Sequence, residues 1–199
     1  MTLDDLLTEL CARRPEAVLV TGPQRSGTTI AAHILAAELG HRYIDEVAFG
    51  AHDHRRAFEL FAEGGVVVQG PGLCHVAHLY GRREGVVVMM RRDYEAIRRS
   101  EERIGWRGER DGYNLRIERQ KYEAMFGMSG DNIALIKYYC WDTLQKPRCA
   151  AFDLDYESMR RHPLWHPQTE RERFGPRQWQ PRPDAASNAL GYDLQKRHG

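Results

Sequence analysis

The sequence is short of several things. Its 199 residues hold only four cysteines, Cys11, Cys74, Cys140 and Cys149, without the paired spacing of a metal cage or a disulfide framework. Net charge is only +1, so overall basicity gives no reason to expect non-specific nucleic-acid binding; nucleic acid stays a possible partner, though nothing indicates it. No apolar run approaches the roughly 20 residues that cross a bilayer, and Met1 to Arg14 lacks the basic start and apolar stretch of a signal peptide. The expectation is a cytoplasmic protein without a membrane partner. No internal repeat and no low-complexity tract breaks the chain.

What remains is an ordinary globular balance, 42% hydrophobic and 29% charged. Leu3, Leu6, Leu7 and Leu10 fall at helical spacing behind Asp4 and Asp5. Unbroken apolar runs follow at Ala17–Thr21, Val66–Gln69 and Gly85–Met90, a pattern suited to strands buried on both faces of a parallel sheet. A short run at Arg42–Ile44 and another at Cys149–Leu154 complete the set. Helical stretches lie between them, at 29–39, 54–63, 72–78, 93–103 and, with a break near Gly127–Gly130, 111–145. The expected fold class is a three-layer, doubly wound, mostly parallel α/β sheet. Residues 1–162 are expected to form one domain, with 105–145 a helical region on the acceptor side. Residues 163–199, basic and interleaved with Trp165, Phe174 and Trp179, are expected to form an extended tail.

The chemistry begins after the first strand, at Gly22-Pro23-Gln24-Arg25-Ser26-Gly27-Thr28-Thr29. Gly22 and Gly27 let the backbone curl so that N–H groups converge, and the next helix adds its own unpaired N–H groups and dipole. Arg25 supplies a forked charge, Thr28 and Thr29 supply hydroxyls. An ATP-type loop has the form GxxxxGK[ST]; Thr28 occupies its lysine position.

Arg25-Ser26-Gly27-Thr28-Thr29 resembles the 5′-phosphosulfate loop of sulfotransferases, which have a P-loop NTPase-like fold. The resemblance implies the donor 3′-phosphoadenosine 5′-phosphosulfate (PAPS), with Gly22, Arg25, Ser26, Gly27, Thr28 and Thr29 around its phosphosulfate. It extends to a strand ending in Arg91-Arg92 with Ser100 eight residues beyond Arg92, which resembles the family's 3′-phosphate pair; either arginine could be the partner of Ser100. Gln69-Gly70-Pro71 stands where the family has Lys-x-Pro, with glutamine for lysine. Tyr156-Glu157-Ser158-Met159 resembles its Tyr-Glu-x-Leu and is expected to be structural.

Transfer to a hydroxyl or amine needs a base for the acceptor's proton and cations for the oxygens. Glu46 leads as the base, followed by Asp45, with Arg25 as the catalytic cation. His52, His54, His75 and His78 are alternatives; no third ligand joins His52-Asp53-His54, so no metal site is assigned. A second resemblance competes: Ile30 to Glu46 is similar to the first helix and second strand of small P-loop kinases. That reading implies ATP with Mg²⁺, Thr29 on the metal, Asp45 orienting the acceptor, and Arg98, Arg99 or Arg103 in a lid. A non-catalytic nucleotide-binding protein is the third. The partners expected are an anionic nucleotide donor and an unknown acceptor, whose site is abbreviated, open, or completed by a second copy in a homo-oligomer.

Overall fold

A computed structural model describes residues 1–50, 53–82, 84–106, 113–130 and 132–165. The chain begins with helix α1 (Leu3–Arg13), where Thr2 and Asp5 form a reciprocal capping box. Five strands follow, β1 (Ala17–Thr21), β2 (Arg42–Ile44), β3 (Val66–Gln69), β4 (Gly85–Arg91) and β5 (Ala151–Asp155). They form one parallel sheet in the order β2-β3-β1-β4-β5. Helices α2 (Thr28–Leu39) and α3 (His54–Ala62) pack on opposite faces, and α4 (Tyr94–Arg103), α5 (Tyr113–Phe126) and α6 (Ile133–Cys140) follow β4. This is the expected three-layer, doubly wound α/β class.

The apolar strands serve two cores at once. Val18 and Val20 of β1, Val67 of β3 and Val86, Val88 and Met90 of β4 join the core beneath α1 and α2. Ala17 and Leu19, Val66 and Val68, Val87 and Met89 alternate into the core beneath α3. The two-residue period of a strand places each successive side chain on the opposite face, so neither face tolerates polar alternation. Leu164 is buried in the first core, and Trp165 packs there against Tyr156. The tail expected from residue 163 otherwise lies outside the described residues, as do Phe174, Trp179 and His52.

One local expectation is corrected. The segment after β3 is a 3₁₀ helix over Pro71–Leu79 rather than an α-helix. Its carbonyls are taken by other partners: Pro71 O by Lys137, Gly72 O by Lys121 and Cys74 O by the Gln145 amide. Carbonyls committed to side chains compete with an α-helical ladder.

From β1 the chain moves to β2 and β3 on one side of the sheet, then to β4 and β5 on the other. The loops after β1 and β4 therefore meet at the reversal, where open α/β sheets form a crevice at the strands' carboxyl ends. No helix among the described residues is long and apolar enough to cross a membrane.

Candidate functional site

The loop between β1 and α2 is held in a conformation few residues accept. Gly22 has φ 149° and Gly27 φ 98°, and Arg25 itself sits in the left-handed region at φ 65°. A Cβ on Gly27 would stand 2.4 Å from the Tyr156 ring, so this position is closed to any other residue on steric as well as conformational grounds. Gly27 also begins α2, and having no side chain it leaves the N–H groups of the first turn uncapped. Unpaired donors and the positive end of the dipole thus face the loop.

Arg25 and the segment after β4 come together. Arg25 Nε donates to Ser100 Oγ (3.1 Å), and Arg92 donates to the Arg25 carbonyl (2.6 Å). The Arg92 guanidinium lies 4.0 Å from the centre of the Tyr156 ring, which rests on Gly27. Arg92 Nε is buried and has no hydrogen-bond partner. Tyr156 therefore supports the loop from beneath, as its motif suggested. Arg91 points elsewhere: it pairs with Asp142 and with Asp153 (3.0 Å), which also accepts from the Trp141 indole. Strand parity explains the split, because Arg91 shares the face of Val87 and Met89 whereas Arg92 falls on the loop side.

Ser26 and Thr28 behave differently from a simple ring of anion donors. The Ser26 N–H (3.1 Å) and hydroxyl (2.7 Å) both close on the Pro23 carbonyl, so Ser26 shapes the turn instead of presenting donors. The Thr28 hydroxyl is buried and accepts from the Gln69 amide (3.3 Å). Thr29 is exposed at the start of α2.

Gln69 links the loop to the second half of the site. Its Oε1 accepts from the Glu46 N–H (3.3 Å). The Glu46 carboxyl is pushed up to about 7, first by burial and then by the neighbouring Asp45 and Glu118, with Lys137 acting the other way. Asp45 is committed to structure: it caps the 3₁₀ turn Glu46–Phe49 through the Val47 N–H (2.9 Å) and accepts from the Tyr43 hydroxyl (2.8 Å). Glu46 combines a position beside the loop with a titration near neutrality.

Three residues here escaped the sequence reading. Lys137 of α6 and Glu118 of α5 form a salt bridge of 2.8 Å with both side chains fully buried. Lys137 also donates to Gln24 Oε1 in the loop (2.8 Å) and to Pro71 O (3.2 Å). Lys121, one turn after Glu118, donates to Gly72 O (3.4 Å). The available signal was a lone lysine inside the apolar run Ile133-Ala134-Leu135-Ile136-Lys137-Tyr138.

The histidines play smaller parts. Burial, then Lys121, Lys137 and His54, depress His75 to about 3, which keeps it neutral. The His78 N–H donates to the Gln145 side chain. Among the described residues no group of three or more His, Cys, Asp or Glu could hold a metal ion. The aromatics of 105–145 divide: Tyr122 and Trp141 are core, and Tyr139 is exposed.

No family model matches this chain, and no curated protein does. Among solved structures it is similar to the shikimate kinase from Acinetobacter baumannii in complex with shikimate, at 14% identity and a TM-score of 0.39, over 70% of this chain and 98% of that one. At that level the likeness adds nothing to the topology described above. The resemblance to sulfotransferases accordingly rests on the residues themselves.

Proposed function

We propose that this protein is a nucleotide-dependent transferase, and that it moves a sulfuryl group from PAPS to a hydroxyl or amine. The observation that carries the reading is the meeting of Arg25, Arg92 and Ser100 beside a loop whose lysine position is Thr28. A donor with phosphate groups at both its 5′ and 3′ ends needs two cationic subsites and no lysine for a γ-phosphate. The partnerless Arg92 Nε and the uncapped first turn of α2 fit such an anion.

Gly22, Gly27 and the N–H groups of Thr28 and Thr29 would cradle the 5′ end, with Arg25 neutralising it. Arg92 and Ser100 would hold the 3′-phosphate. Glu46 accepts the proton as the acceptor oxygen or nitrogen forms its bond to sulfur and the bond from sulfur to the 5′-phosphate breaks. The donor supplies the sulfuryl group and leaves as adenosine 3′,5′-bisphosphate. The backbone donors and Arg25 stabilise charge that builds on the departing phosphate.

A second reading, phosphoryl transfer from ATP with Mg²⁺, is favoured by Thr29, whose exposed side chain stands at the position of the metal-holding hydroxyl of an ATP loop. Its lid candidate Arg98 is tied to Glu95 and Glu102 of its own helix. Thermal stabilisation decides between the two, because a ligand that binds only the folded state raises stability by RT ln(1 + [L]/Kd). Stabilisation by adenosine 3′,5′-bisphosphate without metal is the expected result. A response confined to ATP with Mg²⁺ replaces sulfuryl transfer with phosphoryl transfer, and silence toward both leaves a protein that does neither.

A further inference from the structure

We propose that Lys137, with Glu118 as its counter-ion, is a positioning residue that fixes the phosphate loop from α6 and couples it to Glu46. The inference rests on reading 22–29 as the donor's cradle. Lys137 donates to Gln24 Oε1 (2.8 Å) and Pro71 O (3.2 Å), and its ammonium lies 2.8 Å from Glu118 Oε2 as an ion pair. These belong to α5, the loop and the connection after β3, so one ammonium group ties three separate segments together. Lys121 repeats the attachment at Gly72 O.

Stability alone gives a poor reason for this arrangement. A fully buried ion pair repays its desolvation only with good geometry, and apolar residues of similar volume often serve the fold as well or better. Position gives a better one. The loop lacks lysine at 28 and the β3 connection lacks it at 69; the cation that reaches both segments comes from α6 instead. It touches the loop at Gln24, the residue before Arg25, whose left-handed backbone aims its side chain at Ser100. The charged groups around Glu46 are Asp45 from its own segment, Lys137 from α6 and Glu118 from α5, so the same pair acts on the proposed base. Holding the loop and the connection after β3 through one ammonium group keeps the cradle in register, where small misplacements are costly.

Calorimetry with adenosine 3′,5′-bisphosphate, and separately with ATP and Mg²⁺, tests this on the full chain. The double variant Lys137→Met with Glu118→Met removes the charge without leaving an unpaired ion. It is expected to keep the wild-type melting temperature or exceed it, yet bind the nucleotide about tenfold more weakly. Gln24→Leu should show the same loss, and adding it to the double variant should cost little more, because both break one contact. A double variant that binds within about twofold of wild type overturns the proposal. If that variant fails to fold, Gln24→Leu decides in the same way. A wild-type protein that binds neither nucleotide defeats the cradle reading, and this inference falls with it. The coupling has its own readout: Glu118→Gln should move the Glu46 carboxyl resonance midpoint below about 7. A pair that merely supports the fold leaves that midpoint unchanged.

Discussion

The two sides of the crevice are built on different principles. On the donor side, a backbone cradle and two arginines converge at the reversal of the sheet, where the exposed Thr29 and the half-buried Arg25 and Arg92 remain within reach of solvent. On the other side, the half-buried Glu46 faces the buried Gln69, Glu118, Lys137 and His75, and the charges of Glu118 and Lys137 act on Glu46 while that of Lys137 acts on His75. On the proposed reading, the first side binds the donor by geometry that sterics enforce. The second tunes protons, which requires low exposure and close charges. A site that separates these tasks can be broken on one side without erasing the other.

The largest effect is expected where sterics dominate. Gly27→Val meets both a φ of 98° and the Tyr156 ring. It should cost about 3 kcal/mol in chemical denaturation and abolish nucleotide-induced stabilisation. A variant that still responds to nucleotide would place the anion elsewhere. Next, Arg25→Ala and Arg92→Ala should each weaken binding of adenosine 3′,5′-bisphosphate by about tenfold to a hundredfold, with little change in melting temperature. Arg91→Ala is the contrast: losing its contacts with Asp142 and Asp153 should lower stability and leave affinity nearly unchanged.

That contrast also marks what could be read from the residues. The strands were visible because β1, β3 and β4 are apolar on both faces, and the loop was visible because its glycines sit between such a strand and a helix. Arg92 and Ser100 could be named as a pair by spacing, but choosing between Arg91 and Arg92 needed the strand's parity fixed against Trp141. Lys137 and Glu118 were hidden for a different reason. They lie 19 positions apart on separate helices, and a buried charge looks like any surface charge until its partner is in place. Gln69 looked like a loss of lysine; folded, it is the bridge between Thr28 and Glu46.

The proton side yields a pH prediction of intermediate size. Burial raises the Glu46 carboxyl from the ordinary 4.5 to about 7, so the folded state binds more protons than the unfolded chain between those values. Stability therefore falls as pH rises through that window and is flat above it, a cost of about 2 kcal/mol after allowing for partial exposure. Glu46→Gln should remove this slope from unfolding curves measured between pH 5 and pH 7. It should also abolish transfer while sparing donor binding, since Glu46 is assigned only to the acceptor's proton. An unchanged slope would assign the buried titration to another group.

The smallest effect sharpens the line between the two acids. Asp45 caps the turn Glu46–Phe49 and accepts from Tyr43, so Asp45→Asn should cost only about 1 kcal/mol. Its negative charge is the second cause of the high Glu46 value, after burial. Removing that charge while keeping the side chain's shape should lower the Glu46 midpoint, so the alkaline-rising limb of activity moves toward acid and maximal turnover is retained. Asp45→Asn that abolishes turnover without moving the midpoint would make Asp45 the base and Glu46 its tuner. The geometry argues against this exchange: both Asp45 carboxylate oxygens already hold donors, one from Val47 and one from Tyr43. Those oxygens are committed to the turn and to Tyr43, whereas desolvation raises the Glu46 carboxyl toward the range a base needs.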